Sequence, residues 1–331
     1  MKVSIIGGGS WGSTLGQVLT DNGHEILIYD INLNHVDKIN HGLHPFFDTK
    51  LEKTKATNDL AEALAFSNII MLSVPTKVMR DVLKEMNLLL TEPKSFINVS
   101  KGIEPETFKR VSEIVFEEIK NEYVKDYAVL TGPSHAEEVI LRKLTLLTAA
   151  SENKEFAITV QTLFSNDSYM RVYTSCDLIG CEVAGAVKNA IAVISGVLSG
   201  YGLGEKARAA LITRGILEVI RVGKFMGGQA ETAFGLTGIG DLIVTASSEH
   251  SRNFTAGKKI GQGLDPKEAV LSSLQTVEGI RTIEALYQLS QKHQVELPII
   301  EMAYGVLFEH LPIQEAVIQL LTRDLKEEKL I

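Results

Sequence analysis

The sequence has few cysteines, no excess of positive charge and no long apolar run, and each absence excludes a class of protein. Only two of its 331 residues are cysteines, Cys176 and Cys181. Their number and spacing suit neither a disulfide framework nor a zinc site. We expect both to be reduced residues in the core of a cytoplasmic protein.

The charge balance is acidic. The chain carries 33 lysine and arginine residues against 41 aspartate and glutamate residues, a formal net charge of -8. This balance argues against a nucleic-acid surface or an anionic membrane as the main partner, although a small anionic substrate needs only a few local cations. We find no run of about 18 apolar residues, which predicts no membrane span. A strand predicted from residue 2 leaves no room for a signal peptide.

The order of predicted elements divides the chain into two parts. Up to about residue 175, strand-like and helix-like segments alternate, which is typical of a mainly parallel sheet with helices on both faces. From residue 176 onward, long helical patterns dominate. The predicted strands are 2–6, 25–30, 69–74, 96–99, 127–131, 144–150 and 169–173. The predicted helices are 11–22, 59–66, 76–90, 105–121, 134–141 and 153–165, then 178–199, 205–225, 267–274, 278–292, 299–307 and 313–321.

Near its start the chain carries a dense glycine motif. The apolar run 3–6 leads into Gly7-Gly8-Gly9-Ser10-Trp11-Gly12, which fits the pattern G-x-G-x-x-G. A helical pattern follows, and then a second strand that ends on Asp30. This order of strand, glycine turn, helix, strand and acid is typical of a dinucleotide site. It predicts an α/β Rossmann-type N-terminal domain over 1–175, followed by an all-α C-terminal domain over 176–331.

Each part of the motif has a physical role in holding a nicotinamide or flavin dinucleotide. Gly7 permits the tight turn, Gly9 lets the backbone approach a pyrophosphate, and Gly12 lets the helix pack against the strand. The phosphates would lie at the start of the helix, where N–H groups and the helix dipole favour negative charge. Asp30 follows about 20 residues later, where an acid can hydrogen-bond the adenosine ribose. The alternative is a glycine-rich turn in another kind of α/β protein.

A second group of candidate residues lies mostly in the helical half. Lys188 has small or apolar neighbours at helical spacing, so it is either a surface lysine or a buried amine whose pKa burial would lower. Such an amine suits general acid/base chemistry. Asp241 reads as a functional acid or as a helix N-cap. Arg252 and Asn253 offer donors suited to a phosphate, or belong to a solvated surface loop.

Together the motifs resemble those of NAD(P)-dependent glycerol-3-phosphate dehydrogenase of the soluble bacterial type. The resemblance covers nearly the whole chain, and its specificity comes from the joint order and spacing of motifs that are individually common. They are G-G-G-S-W-G at 7–12, V-P at 74–75, S-K-G-I-E at 100–104, T-G-P-S at 131–134, G-A-V-K-N at 185–189, A-L-I-T-R-G at 210–215, G-I-G-D-L at 238–242, S-R-N at 251–253 and V-E-G at 277–279.

The resemblance implies site residues position by position. Lys188 would accept or donate the proton. Including the glycines and Asp30 of the motif, the full set of expected cofactor-binding residues is Gly7, Gly9, Ser10, Trp11, Gly12, Asp30, Lys101, Ala136, Arg252 and Glu278. The expected substrate-binding residues are Lys101, Gly132, Ser134, Lys188, Asp241, Ser251, Arg252 and Asn253. No metal-ligand cluster is visible in the sequence, so we expect no metal.

The implied reaction interconverts sn-glycerol 3-phosphate and dihydroxyacetone phosphate with NAD(P)(H), supplying glycerol 3-phosphate for glycerophospholipid synthesis. The resemblance also implies a homodimer. One alternative is a 3-hydroxyacid or 6-phosphogluconate dehydrogenase of the same two-domain layout, which the S-R-N segment at 251–253 disfavours. Another is a non-catalytic NAD-sensing protein, against which the lysine and the phosphate-binding set argue.

One segment departs from the family pattern. Many bacterial members carry an arginine just after the second strand, where it suits the 2′-phosphate of NADP. Here Asp30 is followed by Ile31-Asn32-Leu33-Asn34, which contains no cation. An acid at this point repels a 2′-phosphate and accepts a hydrogen bond from a 2′-hydroxyl. The sequence therefore predicts a preference for NAD over NADP.

Overall fold

The chain forms two compact units. The computed structural model describes residues 1–272, 277–325 and 327–328. The first unit comprises Met1–Ser100 and Val111–Leu178, and the second comprises Lys101–Arg110 and the described part of Ile179–Ile331. No sequence pattern indicated that the short segment Lys101–Arg110 would belong to the second unit.

An eight-stranded sheet forms the centre of the first unit. Its neighbouring strands are parallel except for one antiparallel pair, β6 and β7. The strands are β1 (Lys2–Ile6), β2 (Glu25–Tyr29), β3 (Ala56–Thr57), β4 (Ile69–Leu72), β5 (Lys94–Asn98), β6 (Val124–Thr131), β7 (Thr145–Ala150) and β8 (Met170–Ser175). Their order in the sheet is β3-β2-β1-β4-β5-β6-β7-β8. The direction of winding reverses between β1 and β4, and such a switch point is where ligands bind in open α/β sheets.

The predicted mainly parallel sheet and its seven predicted strands are confirmed. The two-residue strand β3 was missed because so short a strand shows no hydrophobic alternation. Strand β4 consists of four buried apolar residues, Ile-Ile-Met-Leu, as expected for a strand covered on both faces. The sheet and its helices share a core that includes Ile5, Leu15 and Met71.

Helices accompany the strands of the first unit. They are α1 (Ser10–Asp21), α2 (Leu33–Asn40), α3 (Leu60–Phe66), α4 (Thr76–Leu89), α5 (Val111–Glu118), α6 (Ala136–Val139) and α7 (Lys154–Phe164). The prediction that a helix begins at residue 105 is wrong. The residues before Val111 form a hairpin, in which Ile103 pairs with Arg110 and Glu106 and Phe108 adopt positive φ angles of 68° and 58°.

Apart from the hairpin Lys101–Arg110, the regular elements among the described residues of the second unit are helices, as predicted. Its helices are α8 (Leu178–Tyr201), α9 (Gly204–Phe225), α10 (Asp241–Ser247), α11 (Arg252–Gly261), α12 (Pro266–Leu271), α13 (Glu278–His293), α14 (Pro298–Phe308) and α15 (Ile313–Leu321). Helix α12 covers the start of the helix predicted over 267–274, whose last two residues lie outside the described residues. The reading of 251–253 as a surface loop is wrong, because Arg252 begins helix α11.

Helix α8 is the central apolar helix of the second unit. The helix is long and apolar enough to span a membrane, whereas the sequence analysis found no candidate span. However, 89% of its most apolar 18-residue stretch is buried inside the protein. Its residues Val187, Ile191 and Val193 belong to the hydrophobic core there. The composition of α8 therefore matches that of a core helix.

The two cysteines are free, but only one lies in the core. Cys181 is buried in α8, whereas Cys176 is exposed. The prediction that both are core residues is thus wrong for Cys176. That residue follows β8, an edge strand of the sheet on which exposed and buried side chains alternate.

Candidate active site

The glycine turn of the first unit depends on close backbone contacts. Gly7 has a φ of +109°, which favours glycine, and a Cβ atom there would lie 2.6 Å from the carbonyl oxygen of Ser73. A Cβ atom on Gly12 would lie 2.0 Å from the carbonyl oxygen of Gly7. Helix α1 therefore packs directly against the turn that follows β1.

Gly9 leaves space in front of the start of α1. A Cβ atom built on Gly9 would meet no protein atom within 4 Å. Gly9 is the N-cap of α1, and within the described residues no side chain caps this end of the helix. Open space beside helix N–H groups fits a dinucleotide pyrophosphate. Ser10 and Trp11 follow in the first turn, buried and half-buried respectively.

Asp30 lies beside this turn. It follows β2 and is buried, and a Cβ atom on Gly8 would lie 3.0 Å from its Oδ2 atom. Its Oδ1 atom accepts a hydrogen bond of 2.8 Å from the backbone N–H of Asn32. The Nδ1 atom of His35, on helix α2, lies 3.4 Å from Oδ2. Lys38, further along α2, donates to the carbonyl oxygen of Pro45 at 3.1 Å.

The segment after β6 holds three further predicted residues. Gly132 is buried with a φ of +141°, and the hydroxyl of the half-buried Ser134 donates to its carbonyl oxygen at 3.2 Å. Ala136 is the first residue of α6. Strands β1, β2, β4, β5 and β6 are mutually parallel, so their carboxyl ends lie at one edge of the sheet. Gly7, Asp30 and Gly132 follow three of those ends.

In the second unit, Lys188 lies at the centre of a buried polar cluster. The lysine is in α8 and is only 5% exposed. Its ammonium group donates to Oδ1 of Asp241 at 2.9 Å and to the hydroxyl of Thr245 at 2.7 Å. The Thr245 hydroxyl donates in turn to the backbone carbonyl of Asp241 at 2.6 Å. Asp241 follows Gly240 as the first residue of α10, so the N-cap reading of this acid is wrong.

Lys101 completes the cluster from the hairpin segment. Its ammonium group donates to Oδ2 of Asp241 at 2.6 Å, and Asp241 is fully buried between the two lysines. Burial by itself raises the pKa of Asp241. The ammonium groups of Lys101 and Lys188 outweigh this effect and hold the pKa below its ordinary value. Asp241 is therefore a carboxylate at neutral pH.

The surroundings of Lys188 lower the pKa of its ammonium group to about 7. Burial is the largest cause, because removal from water disfavours the charged form. The Asp241 carboxylate opposes this effect, while the positive charges of Lys101 and Arg252 reinforce it. An amine with such a pKa can accept or release a proton near neutral pH, as general acid/base chemistry requires.

A chain of amides connects the cluster to the phosphate-binding candidates. The side chain of Asn189, the residue after Lys188, donates to the carbonyl oxygen of Lys101 at 3.3 Å. Its Oδ1 atom accepts from Asn253 at 3.0 Å, and the Asn253 side chain also accepts from the N–H of Gly279 at 2.9 Å. The helices approach closely here: a Cβ atom on Gly257 of α11 would lie 1.9 Å from the carbonyl oxygen of Val193.

Ser251, Arg252 and Glu278 occupy helix starts. Ser251 is the N-cap of α11, and its buried hydroxyl accepts from the N–H of Phe254 at 3.3 Å. Arg252 is the first residue of α11 and is exposed, and the half-buried Glu278 is the first residue of α13. The start of α11 thus combines helix N–H groups with a guanidinium group, both of which favour an anion.

Sequence analysis missed two members of the cluster. Thr245 lies four residues after Asp241 and therefore on the same helix face, which was the available signal. Asn189 was quoted within a motif but was given no role. Across the described residues, no group of three histidine, cysteine, aspartate or glutamate residues could hold a metal ion.

Comparisons with known proteins agree with this layout. Two protein-family models match the chain. The model for the N-terminus of NAD-dependent glycerol-3-phosphate dehydrogenase matches residues 2–157, and the model for the C-terminus of the same family matches residues 177–318. The glycerol-3-phosphate dehydrogenase [NAD(P)+] of Acholeplasma laidlawii is 63% identical, over 99% of each chain. The protein of that name from Staphylococcus epidermidis is 46% identical over 99% of each.

Solved structures show the same relationship. The crystal structure of glycerol-3-phosphate dehydrogenase from Coxiella burnetii has a TM-score of 0.91 and 34% identity, covering 97% of this chain and 99% of that chain. A ketopantoate reductase from Ralstonia eutropha has a TM-score of 0.60 and 16% identity, covering 93% of this chain and 97% of that chain, and shares the fold alone. The chain belongs to the NAD-dependent glycerol-3-phosphate dehydrogenase family.

Proposed function

We propose that this protein interconverts sn-glycerol 3-phosphate and dihydroxyacetone phosphate with NAD(P)(H). The observation that carries the proposal is the cluster of Lys188, Asp241 and Lys101, in which a buried amine has its pKa close to neutrality. The family membership and the glycine turn support the same reaction. A sensor of NAD would need neither the buried amine nor the cations around it.

Lys188 is the proton carrier. In the oxidation of glycerol 3-phosphate, its neutral amine accepts the proton of the C2 hydroxyl group. In the reduction, its ammonium group donates a proton to the carbonyl oxygen as negative charge develops there. Asp241 orients the Lys188 amine through the 2.9 Å hydrogen bond and remains ionised in both directions. Lys101 supplies a second positive charge next to the substrate.

The substrate phosphate binds at the start of helix α11. Arg252 provides a bidentate guanidinium group, and the first N–H groups of a helix have no partner within the helix itself. The side chain of Asn253 is already bonded to Asn189 and Gly279, so we assign its contribution to the backbone N–H. Ser251, the N-cap residue of α11, holds the first turn of the helix through the hydrogen bond that its hydroxyl accepts from Phe254. Gly132 and Ser134 are further proposed substrate contacts.

The dinucleotide binds at the carboxyl edge of the sheet. Gly7, Gly9 and Gly12 shape the turn for its pyrophosphate. The further proposed cofactor contacts are Ser10, Trp11, Lys101, Ala136, Arg252 and Glu278. When bound, the nicotinamide supplies the hydride chemistry at C2. Asp30 accepts from the ribose hydroxyls, and its negative charge favours NAD over NADP.

The proposed cellular role is the supply of glycerol 3-phosphate for glycerophospholipid synthesis in the cytoplasm, by a homodimer without stable membrane insertion. The test of the activity is the loss of NADH absorbance with dihydroxyacetone phosphate as substrate. Dihydroxyacetone and a 3-oxoacid serve as comparison substrates in this direction, and 6-phosphogluconate is tested in the oxidative direction by the gain of NADH absorbance from NAD+. Activity with one of the last two, and none with dihydroxyacetone phosphate, would contradict the proposal.

A further inference from the structure

A buried ion pair ties the hairpin segment to the helix that carries Lys188. Arg110, the last residue of the segment Lys101–Arg110, donates from Nη1 to Oε2 of Glu182 at 2.9 Å. The side chains of Arg110 and Glu182 are only 11% and 5% exposed. Glu182 lies in α8, in the same helix as Lys188. Neither residue of the pair has a role in the proposed chemistry.

The hairpin is folded so that its two ends depend on each other. Ile103 pairs with Arg110, and the N–H of Glu104 donates to the carbonyl oxygen of Lys109 at 3.0 Å. Lys101 begins the segment and reaches Asp241, while Arg110 ends it and reaches Glu182. The hairpin is thus bonded at one end to Asp241, which contacts Lys188, and at the other end to α8, the helix that contains Lys188. These two contacts fix the position of Lys101 relative to Lys188.

We propose that the Arg110–Glu182 pair is a positioning device that holds Lys101 on Asp241, and so keeps two lysine ammonium groups on one carboxylate. The inference rests on the proposed function for its catalytic meaning, but the geometry it describes can be measured without turnover. Removing one partner would take the 2.9 Å ion pair away from a buried charge, which is unfavourable. The hairpin would then move to hydrate that charge, and Lys101 would move with it.

The charge of Lys101 gives this motion a measurable consequence. The groups that act on the Lys188 amine are Asp241, which raises its pKa, and Lys101 and Arg252, which lower it, with the neutral Thr245 as a hydrogen-bond partner. If Lys101 leaves Asp241, the pKa of Lys188 rises. A purely structural ion pair would change the stability without changing this pKa.

The test compares Arg110→Met, Glu182→Gln, Lys101→Met and the double variant Lys101→Met with Arg110→Met. Arg80→Met, which removes an ion pair with Glu117 and Glu118 in the first unit, is the control for general destabilisation. The pKa of Lys188 is read by NMR of its ε-carbon, and hydrogen exchange is read at the N–H of Glu104 and Phe108. Glu182→Gln removes the negative charge but keeps an oxygen that can accept from Arg110. This variant provides the same measurement if Arg110→Met does not fold.

We expect Arg110→Met to raise the pKa of Lys188 by about half a unit or more, to accelerate hairpin exchange, and to lower kcat/KM about 10- to 100-fold. Glu182→Gln should change the pKa and the exchange rates in the same direction. In the Lys101→Met background, Arg110→Met should cause no further change in the pKa of Lys188. Equal effects in both backgrounds, or a loss of Tm with an unchanged pKa and unchanged hairpin exchange, as expected for Arg80→Met, would overturn the proposal.

Discussion

The ammonium group of Lys188 lies 2.9 Å from the carboxylate of Asp241, and both groups are removed from water. Separately, burial would neutralise each of them. Together with Lys101, however, they form a set of two cations on one anion, in which Asp241 remains ionised while the pKa of Lys188 is lowered to about 7. The proton that can be exchanged near neutral pH is therefore the one on Lys188.

The pH dependence of the two directions follows from this arrangement. Oxidation needs neutral Lys188, so kcat/KM for glycerol 3-phosphate should rise with pH through about 7 and then level off. Reduction needs the ammonium form, so kcat/KM for dihydroxyacetone phosphate should fall over the same range. Initial rates in both directions across a pH series provide the measurement. Profiles that change in the same direction would contradict the assignment.

Arg252→Ala should weaken substrate binding through loss of the phosphate contact. Because Arg252 is exposed, we expect a loss of about 2 kcal/mol, the size of one hydrogen bond to a charged group. The measurement is KM for dihydroxyacetone phosphate. Lys259→Ala, an exposed cation in the same helix, is the control and should leave KM unchanged. If the native protein reduced dihydroxyacetone as well as its phosphate, no phosphate contact would be at work.

Two glycines of the turn should respond differently to alanine. Gly9 has an ordinary φ of -68° and open space where a Cβ atom would lie, so Gly9→Ala should fold with an unchanged Tm. It should nevertheless weaken NADH binding, because the added methyl group occupies the space assigned to the pyrophosphate. Gly12→Ala should lower Tm or prevent folding, since its Cβ atom would overlap the carbonyl oxygen of Gly7. Tight NADH binding by Gly9→Ala would place the pyrophosphate elsewhere.

We expect the native protein to prefer NADH over NADPH. A 2′-phosphate beside Asp30 would meet a like charge, and Lys38 is already bonded to the carbonyl oxygen of Pro45. The test is kcat/KM with each cofactor for the native protein and for Asp30→Ala combined with Ile31→Arg. Ile31 is 85% exposed, so an arginine there requires no repacking, and preference should shift towards NADPH. A native preference for NADPH would contradict this reading of Asp30 and leave the proposed reaction unaffected.

Local patterns were sufficient to predict most of the fold. The glycine turn, the apolar strands and the long amphipathic helices each depend on neighbours in the sequence, so their types followed from spacing alone. The helix predicted from residue 105 begins at Pro105, a residue that suits the first turn of a helix. The prediction is wrong because tertiary contacts of the hairpin outweigh this local preference. Ile103 packs in the core of the second unit and Arg110 bonds to Glu182 of the same unit, and no local pattern reveals these contacts.

The site was only partly predictable for the same reason. Lys188 and Asp241 stood out because a charge among small apolar residues is unusual. Their partnership joins residues far apart in sequence, and so does the hydrogen bond between Lys101 and Asp241. Thr245 carries no unusual signal by itself, and its role follows from its position one helical turn after Asp241.

The most direct test of the account is NADH oxidation with dihydroxyacetone phosphate, measured for the native protein and for Lys188→Ala. The native protein should consume NADH, and the variant should lose about 10²–10⁴-fold in turnover, the usual contribution of a general acid. NADH binding, measured separately by fluorescence, should change little, because Lys188 acts on the substrate oxygen. Turnover in Lys188→Ala within a few-fold of the native value would contradict the account, because Lys188 would then not carry the proton.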